Sequence, residues 1–575
     1  MTLTESYVAG PTAPAVRDIT LGQLLEQAAR SAPERLALIA GVPDPALRRQ
    51  WTYSELYTEA QRTARALLHR FKPGERIAVW AQNLPEWIML EFGAGLAGMV
   101  LVTVNPGFRA NELEYVLKQS RSAGVFVVTA FRGNPMLETV REVAPRCAEL
   151  REIICFDDWA AFIATGDDKR IALPAVKPTD PVMIQYTSGT TGFPKGALLH
   201  HRGLANNGAD TADRMGIDPG DVFITTMPLF HTGGCVCCVL GAVSKAATQV
   251  LLEAFEPGLV LELFETYRGN AMLGVPTMLV AMLEHPSFAS TDLSSVKAIC
   301  SGGSTVPAAL VTLFEQKLGA PFTIVFGQTE CSPVAAQTMT NDTIADKAGT
   351  IGLPLPNMET KIINPDTGKT AAIGEIGEFC TRGYHTMIGY FEMPEATAAA
   401  IDSDGWLHTG DLCAMDARGY CTVEGRLKDM IIRGGENIYP RELEELLFRS
   451  SQGGRGRGDR PAAREMGRRG RRLHPSRAWR RYRQGRIVGL HAGFACPAQD
   501  PETLVPAQNL SADRIGQDSE IQAARALGEG RGAGIVTHSA PPHHIPRWSP
   551  NSATTFADAA SRAVFHGAKA RALQN

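Results

Sequence analysis

The densest set of chemistry-capable residues in this 575-residue chain is the run Tyr186-Thr-Ser-Gly-Thr-Thr-Gly-Phe-Pro-Lys-Gly196. Gly189, Gly192 and Gly196 let the backbone turn tightly and approach a ligand without side-chain hindrance. The amides of such a loop can bind phosphate oxygens. Thr187, Ser188, Thr190 and Thr191 add hydroxyl donors, and Lys195 adds charge. The spacing is not that of a Walker A loop, since no G-x-x-x-x-G-K-[ST] fits. A generic Gly/Ser/Thr loop is most often only a polar connection, but eleven residues in this order are far more specific.

With that run, the sequence resembles the adenylate-forming (AMP-binding) superfamily, in its acyl-CoA synthetase or fatty-acid–CoA ligase branch. Further segments follow in the family's order. They are Met227-Pro-Leu-Phe-His-Thr-Gly-Gly234, Ser301-Gly-Gly-Ser304, Phe326-Gly-Gln-Thr-Glu330, Gly405-Trp-Leu-His-Thr-Gly-Asp411 and Gly425-Arg-Leu-Lys-Asp429, the last running on to Arg433-Gly-Gly-Glu-Asn-Ile-Tyr-Pro440. The resemblance covers about 440 residues. It implies a two-step reaction in which a carboxylate attacks the α-phosphorus of ATP, giving acyl-adenylate and pyrophosphate, and the thiol of coenzyme A then displaces AMP. An anion attacks a polyanion, so positioning and electrostatic stabilisation should supply most of the catalysis.

The resemblance also implies roles. Residues 187–195 would hold the β- and γ-phosphates. Glu330, with Thr187 close by, would bind Mg²⁺, a hard cation that takes oxygen ligands. Thr329 would donate to the α-phosphate, and Gly302 and Gly303 would let the backbone lie along the adenine. Asp411 would accept from both ribose hydroxyls while Arg426 contacts ribose or phosphate from the other side. Gln328 and Lys428 join these nucleotide contacts. His231 would stand beside the reacting carboxylate and the thiol route, against the alternative of a satisfied histidine at a helix start. Asp429 would be the hinge of a small carboxyl-terminal domain, and Gly434 and Gly435 would belong to a hairpin lining the pantetheine tunnel. Amino-acid-activating relatives carry an Asp just after the His231 position. The segment from His231 to Ala242 has none and is rich in small apolar residues. It therefore suits a non-amino acid, first a medium- to long-chain fatty acid and second an aryl acid.

The elements that position these residues read as alternating strands and helices over the first 430 residues, the pattern of layered α/β structure with parallel sheet. Leu56, Ala60, Ala64, Leu67 and Leu68 recur at helical spacing within 52–68, with Ser54 as the expected cap. Apolar runs at 76–80, 124–130 and 182–186 read as buried strands. From Glu375 the texture changes to short β-like pieces, a small β subdomain. The expected organisation is an adenylate-forming domain over 1–428, a hinge and domain start over 429–450, and an atypical tail over 451–575. The carboxyl-terminal α/β domain of the family is absent or scrambled in this reading.

Length alone calls for more than one domain, because single cores stop growing near roughly 250–300 residues. A mean hydropathy of -0.08 and the absence of a long apolar run exclude an integral membrane protein. The most apolar stretch, 92–104, is short and broken by glycines. No secretory signal is visible, so the cytoplasm is expected. Eleven cysteines read as reduced thiols, and Cys235, Cys237 and Cys238 read as small buried hydrophobes rather than metal ligands. Oligomeric state and peripheral membrane contact are left open.

The net charge of -3 joins two unlike parts. Residues 451–575 hold 19 Arg and 1 Lys against 5 Asp and 4 Glu, a surplus of +11, leaving −14 on the first 450. The family's carboxyl-terminal domain carries a lysine in a P-x-x-x-x-G-K-[IVL]-like segment that bridges carboxylate and α-phosphate. Here the only lysine after Lys428 is Lys569, in a different context. Three explanations stand for the tail. One is a translated wrong reading frame, since GC-rich codons out of frame yield Arg, Gly, Ala and Pro; an intact frame through codon 450 would contradict it. The second is a basic segment for nucleic acid or anionic lipid, weakened by sparse aromatic interleaving. The third is a regulatory tail. The competing function is a catalytically silent nucleotide-binding protein whose tail engages a polyanion; nucleic acid is not expected to bind the main domain.

Overall fold

The strands that read as unbroken apolar runs lie inside parallel sheet, where both faces are covered and alternation disappears. In Arg76–Trp80, Ile77, Ala78, Val79 and Trp80 are all fully buried. The computed structural model describes residues 2–187 and 194–428, together with the backbone of 429, 431–433 and 436–438. Among the described residues the fold is α/β, as the sequence implies.

A seven-stranded sheet has the order Gly389–Tyr390, Lys195–His200, Pro181–Thr187, Val100–Thr103, Arg76–Trp80, Ser122–Val127, Glu152–Cys155. Its last five strands are mutually parallel, while the first two join antiparallel. A nine-stranded sheet has a parallel centre that runs Phe322–Gly327, Ala298–Gly302, Ala271–Leu273, Val222–Thr225, Thr248–Leu251, Leu36–Ala40. Helices Leu21–Ser31, Tyr53–Leu68 and Pro85–Leu96 share the first core, and Pro257–Tyr267, Pro276–Leu283 and Ala308–Leu318 share the second.

The expected small β subdomain is a five-stranded antiparallel sheet in the order Tyr7–Ala9, Met358–Ile363, Ile376–Gly383, Leu407–Met415, Cys421–Arg426. It starts earlier than Glu375 and recruits three residues from the amino terminus. A three-residue strand whose partner lies about 350 residues away leaves no periodic signal. Two further local expectations shift. Thr52, not Ser54, caps the helix Tyr53–Leu68: its hydroxyl accepts from the Glu55 amide at 3.2 Å while Glu55 Oε2 accepts from the Thr52 amide at 2.8 Å, a reciprocal box. The strand expected at 124–130 runs Ser122–Val127, because its register ends where Trp80 of the neighbouring strand ends.

The apolar stretch 92–104 divides between the end of helix Pro85–Leu96 and strand Val100–Thr103. Among the described residues no helix is long and apolar enough to cross a membrane. Cys235, Cys237 and Cys238 are buried in the helical segment Gly233–Leu240, where burial pushes their thiols up.

Candidate active site

The phosphate-type loop joins two antiparallel strands, Pro181–Thr187 and Lys195–His200, with Thr187 paired to Lys195 at its mouth. Thr187 Oγ1 donates to the Lys195 carbonyl at 3.4 Å. Ser188, Gly189, Thr190, Thr191 and Gly192 lie outside the described residues. Both flanks of the loop are fastened. The Tyr115 hydroxyl donates to the Pro194 carbonyl at 2.8 Å, and the Tyr186 hydroxyl donates to Gln119 Oε1 at 2.5 Å.

Gly302 and Gln328 stand at the carboxyl ends of neighbouring parallel strands, Ala298–Gly302 and Phe322–Gly327, the edge where open α/β sheets bind ligands. A Cβ at Gly302 would meet the Val325 carbonyl oxygen at 2.5 Å, so only glycine fits. Gly303 follows with φ +74°, in the left-handed region that glycine adopts freely. After Gln328 the chain folds into a single 3₁₀ turn, Thr329–Cys331, closed by the Cys331 amide donating to the Gln328 carbonyl at 2.8 Å.

That turn aims Glu330 inward. Glu330 is only 7 % exposed, and its Oε1 accepts from the Tyr390 hydroxyl at 2.6 Å. Oε2 has no partner among the described residues. A buried carboxylate with one oxygen fixed and one free is the hard-donor arrangement that suits Mg²⁺, which would draw its remaining ligands from substrate and water. Neighbouring helix residues clamp the turn from behind. Fully buried Asn207 donates to the carbonyls of Cys331 (3.3 Å) and Val334 (2.7 Å) and accepts from the Val334 amide (3.0 Å).

The β subdomain supplies the other carboxylate. Asp411 and Arg426 are register partners on adjacent strands, with Arg426 Nε 3.2 Å from Asp411 Oδ1. The Asp411 side chain is 13 % exposed and the Arg426 side chain 59 %. Burial raises the Asp411 carboxyl above its ordinary value; Arg426 and Lys428 oppose this, and Glu330 adds to it. Burial first, then the charges of Glu330 and Asp411, push the Cys331 thiol up. Glu378 orients the approach to Asp411. Its Oε1 accepts from the Gly410 amide at 2.9 Å and its Oε2 from His408 Nδ1 at 2.9 Å. Glu378, Cys380 and His408 hold ligand-type atoms within 4.8 Å of one another. Both His408 nitrogens already face carboxylates, however, Nε2 lying 3.6 Å from Asp402, so a cation would have to displace this network.

His231 meets neither Glu330 nor Asp411 in a hydrogen bond. Its ring packs on Phe230, centroids 4.2 Å apart, and its carbonyl accepts from the Gly234 and Cys235 amides. Desolvation lowers the imidazole below the ordinary histidine value. The next residue ties this turn to the loop strand: the Thr232 amide donates to Gln185 Oε1 at 2.9 Å. Beside Phe230 opens a cavity of about 680 Å³ bordered by Asn83, Asn105, Arg109, Arg132 and Met278, at the carboxyl ends of strands from both parallel sheets. Asp429 closes the short 3₁₀ turn Leu427–Asp429, its side chain lying outside the described residues. Gly434 and Gly435 also lie outside, between the paired strands Ile431–Arg433 and Glu436–Ile438.

Sequence reading missed Tyr390, Asn207 and Gln185. One signal was present: Asn206-Asn207 falls inside a helix, where asparagine is unfavourable unless its side chain has a specific partner.

Comparison with known proteins gives a consistent result. Residues 25–391 match the family described as AMP-binding enzyme. The chain is 39 % identical over 457 residues to the putative acyl-CoA synthetase YngI of Bacillus subtilis (strain 168), covering 75 % of this chain and 82 % of that protein. It is 34 % identical over 475 residues to the human mitochondrial medium-chain acyl-CoA ligase ACSF2, covering 77 % of each. A solved Mycobacterium tuberculosis fatty acyl CoA synthetase superposes with a TM-score of 0.67 at 27 % identity, covering 75 % of this chain and 82 % of that one.

Proposed function

The chain belongs to the AMP-binding enzyme family, and from that premise we propose that it activates a medium- to long-chain fatty acid to acyl-adenylate and then acyl-CoA, with adenylation slowed and thioester formation nearly lost for want of the carboxyl-terminal lysine. Acid activation and acyl-CoA ligation, with ATP, coenzyme A and a carboxylic acid as substrates, belong to the family. The chain length, the site roles and the impairment are our reading. The observation that carries it is the buried carboxylate of Glu330, fixed on one oxygen by the Tyr390 hydroxyl, in the turn that follows strand Phe322–Gly327 at its carboxyl end.

In this reading the ribose hydroxyls donate to Asp411, which Arg426 holds in place. The adenine lies along Gly302 and Gly303, with Gln328 at the same edge. The substrate carboxylate oxygen attacks the α-phosphorus and forms the acyl–phosphate bond; the bond to the bridging oxygen breaks and pyrophosphate leaves with the electron pair. Lys195 and the loop donors take up its growing charge, and Thr329 donates to the α-phosphate. Mg²⁺, held by Glu330 and Thr187, would neutralise phosphate oxygens. In the second step the thiolate sulfur attacks the acyl carbonyl carbon and AMP departs, with His231 beside the route. Lys428 would add charge near Asp411, and Asp429 would be the pivot between the two steps.

A fatty acid is favoured by the buried, small-residue segment 234–240 and by the likeness to the human medium-chain acyl-CoA ligase. The impairment rests on the sequence: no lysine follows Lys428 except Lys569. ATP–pyrophosphate exchange and acyl-CoA formation on the purified chain test the proposal. Slow acid-dependent exchange with almost no acyl-CoA is expected. Acyl-CoA turnover in the ordinary enzyme range, roughly 1–10³ per second, would remove the impairment.

A further inference from the structure

Two opposite charges in the site stand close together without pairing. Among the described residues neither Lys195 nor Glu330 forms an ion pair, and the side chain of Tyr390 lies against both. Its hydroxyl donates to Glu330 Oε1 at 2.6 Å, and its ring centroid is 4.8 Å from Lys195 Nζ. The backbone around Tyr390 ties the same two places together. The Met387 amide donates to the Glu330 carbonyl at 2.9 Å, and the Phe391 amide donates to the Gly196 carbonyl at 2.8 Å. Between them Gly389 and Tyr390 pair with Leu198 and Ala197 as an added edge strand, and Thr397 Oγ1 accepts from the Tyr390 amide at 2.8 Å. Five consecutive residues thus span from the carboxylate turn to the mouth of the loop.

We propose that Tyr390 is a positioning residue that holds Glu330 and Lys195 apart and ready, so that the carboxylate serves the divalent cation and the ammonium serves the phosphate chain of one bound nucleotide. The proposal rests on the nucleotide site described above and adds to it a residue with two separable functions. The hydroxyl fixes Oε1 and leaves Oε2 free. The ring face carries the ammonium by cation–π attraction and occupies the path along which Lys195 would reach the carboxylate. A direct Lys–Glu pair would satisfy both charges and withdraw both from the ligand. A carboxylate oxygen can only accept, so the hydroxyl at 2.6 Å acts as its donor.

The test measures nucleotide affinity rather than turnover, with the full chain, ATP and a Mg²⁺ titration followed by calorimetry. Tyr390→Phe removes the hydroxyl and keeps the ring. It should raise the Mg²⁺ concentration for half-maximal ATP binding roughly tenfold, the scale of a lost hydrogen bond to a charged group, and leave Mg²⁺-free ATP binding within about twofold. Tyr390→Leu removes the ring as well and should in addition weaken Mg²⁺-free binding by about two- to fivefold. In a Glu330→Gln background Tyr390→Phe should add little, a coupling that a purely structural tyrosine would not show. A Mg²⁺ requirement unchanged within twofold in Tyr390→Phe, with wild-type binding intact, overturns this proposal alone. A wild-type chain that binds no ATP overturns the functional reading and this proposal with it.

Discussion

Replacing Asn207 with leucine probes how the fold holds the turn that carries Glu330. The side chain is fully buried and makes three hydrogen bonds to the backbone just beyond Glu330. Leucine matches its branching but can neither donate nor accept. The substitution therefore strips the partner from two carbonyls and one amide. Orphaning a buried polar group costs about 1–3 kcal/mol, and one of the three bonds is long, which lowers its share. The sum is roughly 3–5 kcal/mol, a large part of the usual 5–15 kcal/mol of a folded protein yet short of abolishing it. Urea unfolding followed by tryptophan fluorescence reads the loss. Because the same bonds fix the segment after Glu330, Mg²⁺-dependent ATP binding should weaken as well. A loss below about 1 kcal/mol, or full stability loss with unchanged Mg²⁺-dependent binding, would refute the clamp.

Two further outcomes follow from local geometry. Gly302→Ala drives a methyl into the Val325 carbonyl at the strand edge, so it should cost about 1–3 kcal/mol in urea unfolding and reduce ATP affinity. Gly349→Ala, where a Cβ meets nothing within 4 Å, should do neither; equal behaviour of the two would contradict the strand-end argument. Asp210, bonded to Tyr384 at 2.5 Å, has its carboxyl pushed up to about 6 by burial. The native state thus favours the protonated form, and its contribution is present below about pH 4 and lost as pH rises through about 6. Asp210→Asn should accordingly gain stability over wild type at pH 7.5, by about 3 kcal/mol at most, with no gain near pH 4. A variant-to-wild-type difference that does not change between those pH values would count against it.

What the sequence made legible was local or ordered along the chain. The helix over 53–68 announced itself by period, and the buried strands by apolar runs. The loop at 186–196, Glu330 and Asp411 were singled out because fixed neighbours accompany each one in the sequence. The cap at Thr52 escaped because two adjacent candidates share the same chemistry and only the geometry chooses between them. Tyr7–Ala9 escaped because its pairing is entirely non-local. Tyr390 was invisible for the same reason: its partners, Lys195 and Glu330, are far away in sequence, and no spacing rule connects them. Residues that belong to ordered motifs can thus be picked out from composition and order, whereas residues that brace them, such as Asn207 and Tyr390, emerge from tertiary packing.

The central claim is that this chain activates a carboxylate at a site built on Glu330 and Asp411. Isotopic ATP–pyrophosphate exchange with medium- and long-chain fatty acids and one aryl acid tests it most directly, on wild type and Glu330→Gln. The account predicts exchange that requires a fatty acid and Mg²⁺, is slower than roughly one turnover per second, and disappears in Glu330→Gln. Exchange that proceeds without acid, or that survives Glu330→Gln unchanged, would contradict it.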